Sequence, residues 1–209
     1  MTSVVDICNL ALTRIGHSQI TSLDEGTKAS DLCSLHYAFC RDAVLRAHPW
    51  NFAITRATLA LSATTPNHEW TYQHALPSDP YCLKVIRTDW EASGYATTAI
   101  YGFPGVNGYS GAAVPYRIEG RNLLCNENVV KIEYIARITD TEQFDMLFVD
   151  VLAQRLAAEI ALPLTDTQTA TKTMWDIYNA KLIEARTNDA QEGSPREVVD
   201  LSPWIAIRS

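Results

Sequence analysis

Residues 27–53 read TKASDLCSLHYAFCRDAVLRAHPWNFA. Leu32, Cys33, His36, Phe39, Cys40, Ala43, Val44 and Ala47 recur at the period of about 3.6 residues of an amphipathic helix, which places them on one inner face. Pro49 cannot sit in a helix interior and disfavours helical backbone at His48, so the helix is predicted to end near Ala47. From Asn51 to Leu61 the pattern alternates and predicts an extended strand. Pro49, Trp50 and Phe52 stand at this joint. Bulky aromatics there are expected to form a packing corner between a helical and a β layer.

Working outward, Ser3 to Ile15 reads as a first helix, capped by Thr2 or Ser3, with Val4, Cys8, Ala11, Leu12 and Ile15 along one face and Gly16 as its stop. Gln19 to Gly26 connects it to the second helix, and so close a connection predicts antiparallel packing. On the other side of the corner, Trp70–Leu76, Tyr81–Arg87 and Val129–Ile138 read as strands, with a turn over residues 77–80. Pro115–Ile118 and Leu123–Cys125 flank a hairpin turn at residues 119–122. Thr139 with Glu142 resembles a capping box that would open a helix from Asp140 to Leu162, ended by Pro163. That helix is apolar over most of its circumference, at Phe144, Leu147, Phe148, Val151, Leu152, Leu156 and Ile160, as in the middle of a bundle. Arg155 and Glu159 are spaced to pair across one turn. A last helix is expected from about Asp166 to Asn188, with Met174, Ile177, Tyr178, Lys181, Leu182 and Ala185 facing inward.

The predicted fold is therefore α+β. About four antiparallel helices drawn from both chain ends, residues 1–50 and 139–190, form a bundle. Residues 51–138 are an inserted β-rich region, and residues 191–209 an extended C-terminal arm. Residues 92–116 carry no charge and hold five of the nine glycines, interleaved with Tyr95, Tyr101, Phe103 and Tyr109. Such a loop is either a contact surface or an unpacked hairpin tip. In the arm, Leu201, Pro203, Trp204, Ile205 and Ile207 form an apolar run too short to fold alone. They are expected to dock, on the bundle or on a partner.

At 209 residues, with 47% hydrophobic and 20% charged residues, the composition is that of a globular chain with a real core. No run of about 18 apolar residues predicts a membrane span, and the N-terminus lacks the basic start of a signal peptide. Five cysteines without a Cys-x-x-Cys pair fit a reduced cytoplasmic origin. A net charge of −7 argues against tight nucleic-acid binding, though not against a surface past which DNA slides.

Cys33, His36 and Cys40 have helical spacing for soft metal ligands or a Cys–His nucleophile, but they lack a fourth ligand or an oxyanion loop. Core packing is the commoner use of such cysteines, and no metal is expected. Gly108-Tyr109-Ser110-Gly111 misses the spacing of a nucleophile elbow. Neither a phosphate loop nor a dinucleotide fingerprint occurs, so no cofactor is expected. Asp24 and Glu25 are the best-exposed carboxylates for hydrolysis, but acids near a helix start are usually dipole partners. No catalytic residue is assigned.

Three groups of residues together resemble the head-to-tail adaptor family of short-tailed bacteriophages, the tail tubular protein A or gatekeeper (head completion) proteins. They are Asn9-x-x-Leu12-x-x-Ile15-Gly16, Ile20-x-Ser22-Leu23-Asp24-Glu25, and Arg41-Asp42 through Pro49-Trp50-Asn51-Phe52-Ala53. Trp70-x-Tyr72 and Leu76-Pro77-x-Asp79 add to the match, whereas the glycine-rich loop departs from the family pattern. The resemblance implies a structural virion protein at the head–tail junction, made in the host bacterial cytoplasm and not an enzyme. It implies a self-assembled ring of about twelve copies that binds the portal protein and the tail nozzle and lets DNA pass through its lumen. No membrane partner is implied. The negative charge would suit a lumen that must not hold DNA. The alternative is a tail-associated peptidoglycan hydrolase, which would need two carboxylates facing a cleft.

Overall fold

The computed structural model describes residues 2–89 and 115–192. Tyr101, Phe103 and Tyr109 of the uncharged loop lie outside the described residues, as do Leu201, Pro203, Trp204, Ile205 and Ile207 of the arm. The described chain is α+β, with four α-helices and two antiparallel sheets.

Helix α1, Val4–Arg14, begins with a reciprocal cap. Ser3 Oγ accepts from the Asp6 backbone N–H at 3.1 Å, while the Asp6 carboxylate accepts from Ser3 N–H at 2.8 Å. It ends at Gly16 with φ 74°, where His17 N–H reaches back to Leu12 O at 2.9 Å and Gly16 N–H to Thr13 O at 3.1 Å. Helix α2, Lys28–Ala47, is capped by Thr27 and stops at His48 before Pro49, as the stretch predicts. Its core face is Cys33, Tyr37, Cys40, Val44 and Leu45. Phe39, expected on the inner face, is instead 75% exposed, and Ala43 is exposed too. At about 100° per residue, Phe39 lies on the far side of α2 from Tyr37 and Val44.

Asn51–Ala53 form a single 3-10 turn rather than the start of a strand. Strand β1, Ile54–Thr58, and strand β2, Ala60–Leu61, follow as two pieces split at Leu59, not one continuous strand. The break lets one chain run serve two sheets. Strands β3 (Tyr72–Ala75), β4 (Cys82–Asp89), β5 (Arg117–Glu119), β6 (Asn122–Cys125) and β7 (Lys131–Ala136) complete them. The first sheet has the order β1-β7-β4 and the second β2-β3-β6-β5, all antiparallel. Gly120, with φ 59°, makes the tight β5–β6 turn. Strand β7 is the shared wall. Ile132, Tyr134 and Ala136 enter the core between the sheets, while Ile135 enters the helical core, an alternation set by the two-residue period of a strand.

Thr139 does not open the next helix. Asp140 caps one 3-10 turn, Thr141–Gln143, and Asp145 caps helix α3, Met146–Thr165, through the Leu147 N–H. The chain interrupts its helical path there because Phe144, extended and 8% exposed, turns into an aromatic cluster with Phe52 and Phe148. Nor does Pro163 end α3. It sits in the last turn, and the helix closes at Asp166 in the left-handed conformation with φ 52°. The Pro163 carbonyl accepts from the Lys28 ammonium. Helix α3 packs against α1, α2 and the last helix, and its buried residues run from Phe148 to Ala161.

Helix α4, Gln168–Gln191, starts after Asp166 rather than at it. Tyr178 and Ala185 are buried, and Met174, Trp175 and Leu182 pack against the core. Ile177 is 37% exposed, and Lys181 pairs with Asp150 instead of packing inward. No described helix is long and apolar enough to cross a membrane.

Candidate functional site

The corner after α2 is held by several independent contacts. Trp50 is 1% exposed, and its indole N–H donates to Val44 O at 2.9 Å, tying the corner to the helix it leaves. Its ring meets Phe148 edge-on at 5.3 Å between centroids. Phe52 meets Phe148 at 5.0 Å and Phe144 at 5.9 Å. These are favourable tilted and T-shaped contacts among α3, the corner and Phe144, two residues before α3. Pro49 is exposed and acts through the backbone alone.

Asp189 near the end of α4 clamps the same corner. Its carboxylate accepts from His48 Nε2 at 2.9 Å and from Asn51 N–H at 3.1 Å, while the Asn51 amide donates to Asp189 O at 2.7 Å. Asp42 joins α2 to the sheets by accepting from Arg41 at 2.8 Å and from Arg137, just past β7, at 2.8 Å. Arg137 in turn stacks on the Tyr81 ring at 4.2 Å, with Arg121 stacked on the same ring at 4.0 Å. Asn9 holds the first connection, with its side-chain amide exchanging hydrogen bonds with Ile20 O and Ile20 N–H at 3.0 and 2.8 Å. These residues, apart from Asp189 and the Tyr81 stack, belong to the groups singled out in the sequence or flank them.

Glu25 does not have the setting of a general acid. Its carboxylate accepts from Thr21 N–H, Thr21 Oγ1 and Thr27 Oγ1 at 2.8, 2.9 and 2.9 Å, which holds its pKa below the ordinary glutamate value. Glycosidic general acids need the opposite shift. Asp24 N–H is taken by Ser22 Oγ in the same turn.

Cys33 and Cys40 are buried in the helical core, and His36 is half-buried. Hydrogen bonding to Cys33, together with burial, pushes the Cys8 thiol far above its usual range, and burial pushes Cys40 up to about 12. Cys40 therefore stays protonated at neutral pH, whereas metal binding and nucleophilic attack need the thiolate; the hydrogen bond with Cys8 lowers Cys33 instead, and burial opposes it. Among the described residues no group of His, Cys, Asp and Glu is arranged to hold a metal.

The outer surface of α2 shows what the inward-face reading missed. Leu35 and Phe39, one turn apart, are 61% and 75% exposed and stand side by side. Met146 at the start of α3 and Ile183 on α4 are 72% and 65% exposed. An apolar pair four residues apart on the side opposite Cys33 and Val44 was a legible signal, because an amphipathic helix in a lone globular chain is polar there. No family model matches the chain, and no curated protein is significantly similar to it.

Proposed function

We propose that the protein is a structural assembly component, the head-to-tail adaptor of a short-tailed bacteriophage. In this reading it forms a ring of about twelve copies between the portal and the tail nozzle, and DNA passes through the lumen. The observation that carries the reading is the pairing of a rigid corner with an outward apolar face. Trp50, Phe52, Phe148 and Asp189 tie α3 and α4 to the corner that leads from α2 into β1, and Leu35 with Phe39 leaves apolar area on α2 that a subunit contact would cover. A helix bundle drawn from both chain ends supplies the ring wall, and the inserted sheets supply the platform. The arm, through Leu201, Pro203, Trp204, Ile205 and Ile207, docks on the portal or on a neighbouring copy. Tyr101, Phe103 and Tyr109 offer a second contact. The role needs no catalytic centre.

The test is electron microscopy of the full chain mixed with portal rings. Wild type is expected to add a ring to the portal. Phe39→Asp, which places a charge in the proposed subunit contact, is expected to fold but to fail to close a ring. Removing residues 194–209 is expected to abolish portal attachment and leave the helical content intact. A wild-type protein that stays monomeric and ignores portal rings overturns the reading.

A further inference from the structure

The exposed side of α2 carries a row with a direction. Leu35 and Phe39 are open to solvent, and Arg46, nearer the corner, is exposed and has no carboxylate partner among the described residues. At about 100° per residue, the three lie within roughly 40° of one another around the helix. Counted from Arg46 at 1.5 Å per residue, Phe39 follows at about 10.5 Å and Leu35 at about 16.5 Å along the axis.

The chain leaves the bundle where this row begins. Helix α4 ends at Gln191, and Asp189 in its last turn holds His48 and Asn51, just past the end of α2. Gly193-Ser194-Pro195 then has the composition of a turn, which suits a reversal back along α2. Asp200 is nine residues beyond Gln191, a reach of up to about 30 Å, whereas the way round one helix from its inner to its outer side is about 17 Å.

From Asp200 onward the sequence matches the row in order, chemistry and spacing. An acid comes first, and Leu201, Pro203, Trp204, Ile205 and Ile207 follow. In an extended run Asp200 and Trp204 face the same way and stand about 13 Å apart. Arg46 and the midpoint between Phe39 and Leu35 are about 13.5 Å apart. The carboxylate therefore meets the guanidinium when the indole covers the apolar pair, which removes apolar surface from water on both partners. We propose that residues 200–204 fold back on α2 of the same copy, with Asp200 on Arg46 and Trp204 across Leu35 and Phe39. The contact itself stands apart from the adaptor reading. One consequence rests on that reading: the arm and the α2 face cover each other in the free subunit, so a ring closes only after the portal takes the arm.

The full chain is labelled with 5-fluorotryptophan and followed by fluorine NMR without portal, with Trp204→Phe assigning the Trp204 signal. In wild type that signal is expected to shift little between water and deuterium oxide, as for a covered ring. Phe39→Ser and Arg46→Glu, both at exposed sites, are expected to lower the closed-to-open ratio about tenfold and about fivefold, with unchanged circular dichroism. Adding Asp200→Arg to Arg46→Glu reverses the pair and is expected to restore the wild-type signal. A nitroxide on Ser34→Cys should broaden the Trp204 signal of its own copy. Labelled copies without fluorine, mixed with unlabelled fluorinated ones, should leave it sharp. The proposal is overturned if Trp204 is as open to solvent in wild type as in Phe39→Ser, if broadening arises only in the mixture, or if the charge reversal fails to restore the signal. A latch that closes in a protein that ignores portal rings would sink the adaptor reading and leave the contact standing.

Discussion

Trp50 shows how one side chain is bound by several independent demands. It caps the end of α2 through Val44 O, fills the helical core and orients Phe148. Trp50→Ala therefore removes a fully buried indole and leaves a cavity beside Phe148. A loss of about 3–5 kcal/mol is expected, measured by urea denaturation at constant m-value. A loss below about 1 kcal/mol would mean that the corner collapses without cost. At this scale the sequence was informative about Trp50 and misleading about Phe39. A helical wheel fixes which residues lie together, but not which side the partner helices occupy. Here Tyr37, not expected on the inner face, marks the centre of the buried side with Cys33 and Val44, and Leu45, also not expected there, widens that side by about 100°.

Among the elements, the start of α3 separates local signal from tertiary override. Thr139 and Glu142 have the spacing of a capping box, yet Thr139 is exposed and Asp145 caps the helix. Phe144 decides the outcome, since only an extended residue there delivers its ring to Phe52 and Phe148. Asp145→Ala is expected to cost about 1 kcal/mol, and Thr139→Ala to fall within about 0.5 kcal/mol of wild type, both read from thermal melts. Equal effects would restore Thr139 as the cap. Elements whose boundaries are set by backbone chemistry alone were legible: Ser3 and Gly16 bracket α1, Thr27 and Pro49 bracket α2, and Gly120 turns the β5–β6 hairpin. The split of β1 from β2 at Leu59 was not, because only pairing with two different sheets reveals it.

For the whole molecule, acid is the simplest common stress. Asp6, Glu25 and Asp140 all have pKa values lowered in the folded chain, chiefly by backbone N–H groups of Ser3, Thr21 and Glu142. For carboxylates lowered in this way, the stabilisation is present above the unfolded-state value and is lost as pH falls through the folded value. Melting temperature is therefore expected to hold from neutrality to about pH 5 and to fall below the ordinary values of 4.5 for Glu25 and 3.8 for the two aspartates. Glu25→Gln should start lower at neutral pH and show a shallower acid decline. A melting temperature that rises on acidification would contradict these hydrogen bonds.

What the sequence determined by itself is the punctuation of the chain and its class. Caps, glycines and prolines act within a few residues, and periodicity distinguishes helix from strand, so the α+β character and most element centres follow from local chemistry. Only the tertiary structure decided which apolar face became interior, where Phe144 interrupts the path into α3, and how β7 presents Ile135 to one core and Tyr134 to the other. It also brought Asp189 to His48 and Arg117 to Glu69 across long stretches of chain. These outcomes depend on the simultaneous packing of elements distant in sequence, and no local pattern encodes which partner a face will meet.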